Sequence, residues 1–301
     1  MKILFDANGC PVIEGATITP VLKGWSGDKK YRVETAQGER FLLRVAEKVQ
    51  YRQMKADFAD LRPVIKLGKA AQQPVVCGKA GKWAYAILTW VDGEDLASVL
   101  PGLTQAEQYT MGLQAGLLLQ KIHSVVPAKP AEDGKSIFQR NISKEIACHT
   151  SIGMSPEESG IVIAYLKDNQ NVLGGRPRTF RHGDYHTTNL IVMPDGTLGA
   201  IDFLAYYGDP WLDLCAISVG KDANAYYQTG LINGYFDGNP PAEFFAAMAY
   251  NFALDALTRV SPNDSPEVFE AGCRHIKNIF LWTDNFRNPV PTWYLQDWSA
   301  L

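Results

Sequence analysis

Three short runs near the start of the chain constrain its fold most. Thr17-Ile18-Thr19-Pro20-Val21-Leu22 leads to a glycine-bearing turn, Gly24-Trp25-Ser26-Gly27. Lys30-Tyr31-Arg32-Val33-Glu34-Thr35 then alternates polar and apolar side chains with the period of a half-buried strand, and Gln37-Gly38 turns the chain back into Arg40-Phe41-Leu42-Leu43-Arg44-Val45. This pattern predicts an antiparallel meander. Met54, Phe58, Leu61 and Ile65 follow at helical spacing, which predicts a helix over roughly residues 49–67 with Gly68 as its stop and Pro63 as a point of strain. Two further strands are expected at Pro74–Val76 and Trp83–Val91, the second closed by Asp92-Gly93.

Beyond this first lobe the pattern changes to helices. Thr104-Gln105-Ala106-Glu107 is a capping-box signal for a helix reaching about His123, and Ser155-Pro156-Glu157-Glu158 repeats the logic with proline at the first helical position. Helices are expected again from about Pro241 to Trp282. The expected division is 1–91 and 92–301. With 301 residues, 46% hydrophobic and 20% charged, there is material for two such bodies. A net charge of −3 gives no electrostatic footprint for nucleic acid or a membrane surface. Met1 to Pro11 lacks the basic head and apolar run of a secretory signal, and no run approaches the roughly 20 apolar residues of a membrane span. Five scattered cysteines fit neither a disulfide framework nor a zinc site. A cytoplasmic protein with reduced thiols is expected.

One island of strand and turn, Thr179 to Phe203, interrupts the helical region. It reads Arg181-His182-Gly183-Asp184-Tyr185-His186-Thr187-Thr188-Asn189, then the apolar run Leu190–Met193, the turn Pro194-Asp195-Gly196, and a return through Leu198–Ile201 to Asp202-Phe203. The hairpin is expected to carry Asp184 and Asn189 at one end of its first strand and Asp202 at the end of its second. Phosphoryl transfer needs a carboxylate to take the hydroxyl proton and a sparse set of oxygen ligands for Mg²⁺. Asp184 suits the first task, and Asn189 with Asp202 the second.

These motifs resemble the aminoglycoside phosphotransferase and choline-kinase-like group of the protein-kinase-like superfamily. The resemblance covers about Thr17 to Pro210. It implies an α+β, bilobal, protein-kinase-like fold, with a small antiparallel-sheet N-terminal lobe that binds nucleotide and a larger, mostly helical C-terminal lobe that binds the acceptor. It implies ATP- or GTP-dependent transfer of a phosphoryl group to a hydroxyl of a small molecule, an aminoglycoside or another metabolite such as choline, homoserine or an amino sugar. Matched position by position, Asp184 would be the base, and Asn189 and Asp202 the magnesium ligands. Ser26 would lie in the loop covering the phosphates, and the backbone of Thr89 and Val91 would meet the base of the nucleotide. Arg44 stands where the family usually has lysine and would bind the α- and β-phosphates in its place, a departure that leaves a nucleotide-binding relic as the other reading. The expected acidic partner of Arg44 is Asp57, with Asp60 as rival.

Asp209 and Asp213 would brace the catalytic loop, and His182 would prop it by hydrogen bonding. His123 reads as a packing residue. For a cationic acceptor, Asp284 and Trp282 are the candidates near the C-terminal end. An Asp-Phe-Gly with a protein-kinase activation segment is missing, because Asp202-Phe203 runs into Leu204.

Overall fold

The computed structural model describes residues 3–6, 11–22, 27–148, 152–215 and 224–296. The chain divides into two compact units, one of residues 1–99 with 187–206 and one of residues 100–186 with 207–301. The first unit thus reaches past Val91 to Val99 and takes in the hairpin that follows the His182–Asp184 segment.

Five antiparallel strands form the first unit's main sheet, in the order Ala16–Val21, Lys29–Thr35, Arg40–Glu47, Trp83–Thr89 and Pro74–Ala80. Alternation along the strands sorts the side chains. Tyr31, Val33, Leu43, Val45 and Ile87 share one face, where they pack with Ile3 and Ile13 of an N-terminal hairpin, Ile3–Phe5 with Pro11–Ile13. That hairpin has no counterpart in the sequence expectation, since each strand is only three residues long.

Ala46, Ala84 and Ala86 line the opposite face with Met54 of the helix Tyr51–Asp60. Their small side chains let the helix lie close. This helix is shorter than the expected span of 49–67. Pro63 lacks an amide donor and its ring crowds the carbonyl of residue 59, so the α-helix stops at Asp60 and a 3₁₀ segment, Arg62–Ala70, begins with the proline near its start. A second, three-stranded sheet is built on the hairpin Leu190–Val192 with Leu198–Ala200, extended by Glu94–Asp95. Gly93 has φ of 140°, and a Cβ there would lie 2.1 Å from the Val192 carbonyl oxygen, so only glycine permits this edge.

Helices make up most of the second unit. Both capping boxes form as the sequence predicts, Thr104 with Glu107 ahead of Gln105–Ser124 and Ser155 with Glu158 ahead of Pro156–Asp168. The long helix Gln105–Ser124 packs closely against Ala225–Tyr235. Gly112 and Gly116 face Gly230 and Gly234, and a Cβ on any of the four would come within 2.4 Å of facing backbone. Ala242–Thr258 and Pro266–Trp282 complete the helical body. No helix among the described residues is long and apolar enough to cross a membrane.

Candidate active site

In the second unit the strand Thr179–Arg181 delivers the chain into His182-Gly183-Asp184. Arg181 and His182 are buried, at 3% and 0% exposure. What holds them is Asp213, itself 1% exposed, on the short helix Trp211–Cys215. One carboxylate oxygen accepts from Arg181 Nη2 at 2.6 Å and from the Gly183 amide at 3.0 Å. The other accepts from the His182 amide at 2.9 Å and meets His123 Nε2 at 3.1 Å.

Because a carboxylate only accepts, His123 carries its proton on Nε2. Its Nδ1 then takes the Tyr235 hydroxyl, 2.8 Å away. Burial alone would raise the Asp213 pKa, but the hydrogen bond from His123 and the positive charge of Arg181 outweigh it and hold the carboxyl at about 2. Asp213 therefore fixes two successive backbone amides ahead of Asp184.

Gly183 has φ of 84°, a left-handed turn that swings the next residues around. The Asp184 amide donates to His182 Nδ1 at 3.2 Å, which places the ring proton on Nε2. Tyr185 points inward, 3% exposed, and its hydroxyl donates to the Ala115 carbonyl at 2.7 Å. Burial pushes this phenol well up. With His182 and Tyr185 turned in, the Asp184 carboxylate between them is left 46% exposed, 3.2 Å from His186 Nε2. A carboxylate on a rigid loop, open on one side, can accept a proton from a hydroxyl brought to it.

Asp209 does a related bracing job: it pairs with Arg176, whose guanidinium stacks 4.1 Å over Trp211, and accepts from the Trp211 amide at 3.1 Å.

In the first unit, Leu190 pairs with Ala200 in the hairpin, and the Ile201 amide donates to the Asn189 carbonyl at 2.9 Å. Asn189 and Asp202 thus sit at the same end of the hairpin. Asn189 is 7% exposed, whereas the Asp202 side chain is half open at 49% and its backbone takes a left-handed φ of 59°. No group of three or more His, Cys, Asp and Glu side chains among the described residues is arranged to hold a metal ion. An amide oxygen with one carboxylate fits the sparse oxygen set of Mg²⁺, which keeps much of its water.

Arg44 lies beside Asp28, its Nε and Nη2 donating to one carboxylate oxygen at 3.1 and 2.7 Å. This corrects the expected pairing with Asp57. Asp28 closes the turn into the neighbouring strand and reaches Arg44 across the sheet, while Asp57 accepts from Gln53 Nε2 at 2.7 Å, one helical turn away. All four residues line one cavity of about 170 Å³, together with Met54, Phe58 and Phe203. The rival Asp60 is not among its lining residues.

Thr89 ends its strand with its amide donating to the Gln73 carbonyl and its hydroxyl accepting from the Gln73 amide, each at 2.9 Å. The Trp90 amide closes the ladder on the Arg40 carbonyl at 3.1 Å, and Val91 follows, half-buried. Ser26 lies outside the described residues. In the second unit, Trp282 packs on Phe252 and His275 with centroids 5.9 and 5.8 Å away, and Asp284 sits in an exposed left-handed turn 3.7 Å from Arg287.

The chain matches the phosphotransferase enzyme family, APH, over residues 17–245. It belongs to that family. The phosphotransferase is accordingly a small-molecule kinase, and the antiparallel-sheet and helical units are the two lobes of a kinase-like fold.

Solved structures share that fold at low identity. A mutant aminoglycoside 2′-phosphotransferase-IIIa in complex with GDP is 14% identical with a TM-score of 0.64, covering 91% of this chain and 93% of its own. A choline/ethanolamine kinase family protein from Mesorhizobium loti is 18% identical with a TM-score of 0.59, covering 91% of each chain. An amicoumacin kinase in complex with AMP-PNP, Ca²⁺ and Ami is 12% identical with a TM-score of 0.58, covering 96% of this chain and 91% of its own. No curated protein matches the phosphotransferase in sequence.

Sequence reasoning placed Asp28 in the phosphate-covering turn without foreseeing its bond to Arg44, and gave Lys30 no role. Lys30 Nζ lies 3.7 Å from Asp202 Oδ2. Its signal was available: it falls opposite Arg44 once the meander is put in register.

Proposed function

We propose that the phosphotransferase moves the γ-phosphoryl group of ATP or GTP to a hydroxyl of a small amine-bearing acceptor, with an aminoglycoside the first class to test. One observation carries this reading. The Asp184 loop is held by buried Asp213 through two backbone amides, while the Asp184 carboxylate itself stays open to a reactant.

In this reading Asp184 accepts the proton of the acceptor hydroxyl as the oxygen attacks. His186, 3.2 Å away, orients the carboxylate. Asn189 and Asp202 are the residues that would hold Mg²⁺, which when bound offsets charge on the transferring phosphates. The loop containing Ser26 covers the phosphates, and the Thr89 and Val91 backbone meets the base. The nucleotide and divalent ion carried by the amicoumacin kinase, and the GDP of the aminoglycoside enzyme, support this assignment of co-substrates. Trp282 and Asp284 are the first positions to vary for acceptor choice, and the setting is cytoplasmic.

The test is ADP release across a panel of aminoglycosides, choline, ethanolamine, homoserine and amino sugars, with Asp184→Ala as control. Turnover that survives the substitution would remove Asp184 from the role of base. A second reading, a nucleotide-binding relic, draws on the Arg44–Asp28 pair, because it neutralises the guanidinium that replaces the family's lysine. Magnesium-dependent nucleotide binding without turnover over the whole panel would favour it.

A further inference from the structure

The five-stranded sheet places a row of residues in register across its strands: Val21 opposite Lys30, Lys30 opposite Arg44, and Arg44 opposite Ala86. Directly opposed residues share a face, so Lys30 and Arg44 project side by side. Lys29, one position earlier, projects the other way. It pairs with Val45 of the outer core and its ammonium lies 5.5 Å from the Trp83 ring. Val21 is the last strand residue before the turn read as the phosphate-covering loop, which puts Lys30 beside the base of that loop.

The two cations are engaged differently. Arg44 gives two hydrogen bonds to Asp28, which is only 14% exposed, and this ties strand Arg40–Glu47 to the turn before Lys29. Lys30 is 90% buried by side chain, yet its partner Asp202 is a 3.7 Å ion pair beyond hydrogen-bond distance, with half of that carboxylate open. A buried ammonium without a close donor contact to its carboxylate keeps donors for another anion. An ammonium is moreover the point charge that phosphate binding by lysine uses, which a guanidinium locked to a carboxylate no longer supplies.

We propose that Lys30, not Arg44, is the cation that meets the nucleotide phosphates in this chain, and that Arg44 with Asp28 is a tie that holds the phosphate loop's second strand in place. The assignment rests on the nucleotide-dependent reading given above and answers the relic reading, since the charge missing from the third strand is supplied from the second.

Equilibrium titration of ATP, ADP and adenosine into wild type, Lys30→Ala, Lys30→Arg and Arg44→Ala tests it without any turnover. Loss of one charge-assisted contact should weaken ATP and ADP about tenfold or more in Lys30→Ala, with adenosine unchanged and Lys30→Arg recovering most of the loss. Arg44→Ala should weaken ATP less than Lys30→Ala does. Lys30→Ala that binds ATP like wild type overturns the assignment. So does a variant that loses ATP and adenosine equally, because that reports a disturbed lobe rather than a lost phosphate contact. Wild type that binds neither ligand overturns the nucleotide reading itself, a result distinct from the other two.

Discussion

His123 Nε2 lies 3.1 Å from Asp213 Oδ2, an oxygen it shares with the His182 amide, while Arg181 and the Gly183 amide take the other oxygen of the same carboxylate. A side chain from the end of a long helix thus steadies the loop that carries Asp184. Removing the carboxylate takes a buried, hydrogen-bonded charge partner from Arg181, whose side chain is only 4% exposed. Asp213→Ala is expected to cost roughly 3–5 kcal/mol of stability, read as a fall in the urea midpoint. Activity per folded molecule should fall as well, since Gly183 loses the acceptor for its amide.

The same cluster sets an acid limit. Asp213 titrates at about 2 in the folded chain against an ordinary 3.8, so the unfolded chain binds its proton first as pH falls. Stability from this group is fully present above about pH 4 and is lost as pH drops through about 2, a contribution of about 2 kcal/mol. Urea unfolding at a series of pH values should show this slope, and an Asp213→Asn variant should lack that component.

Asp184→Ala should leave the fold nearly intact, because the side chain is 46% exposed and surface changes usually fall within about 0.5 kcal/mol. Turnover should drop by about two to four orders of magnitude with nucleotide affinity little changed. A rate measurement paired with a thermal melt separates the two effects.

Chelation of divalent ions should abolish turnover and added Mg²⁺ restore it. Asp202→Ala should raise the Mg²⁺ concentration needed for half-maximal rate, while freeing Lys30 from its ion pair. The check is a Mg²⁺ titration of the initial rate in both proteins.

Gly183→Ala puts a Cβ on a backbone with φ of 84°. The left-handed region costs a non-glycine residue about 1–2 kcal/mol, and any relief by rotation would pull the amide from Asp213. Lower stability with lower activity is expected, read by urea unfolding and by rate.

Much of this was legible in the sequence because it rests on local chemistry. Both capping boxes, the meander and the hairpin after Asn189 follow from side-chain period and turn residues within a few positions of each other. The place of Asp209 and Asp213 came from resemblance, and the geometry adds the particular bonds they make. What was not legible depends on register and on distance in the chain. The partner of Arg44 is decided by which carboxylate the sheet brings across from it, whereas the resemblance directed the expectation to an acidic residue of the first helix and so to Asp57. Lys30 went unread for the same reason, since its signal emerges only when the strands of the meander are set in register against one another. The N-terminal hairpin escaped because two three-residue strands leave no periodicity to read.

That hairpin has a practical meaning. The family match begins at Thr17, yet Ile3 and Ile13 are part of the apolar cluster that covers Val33, Leu43, Val45 and Ile87. A version trimmed to the homologous segment would turn that oily sheet face to water and invite it to stick to its own kind. The start of the family match and the start of the packed apolar cluster are different places in this chain.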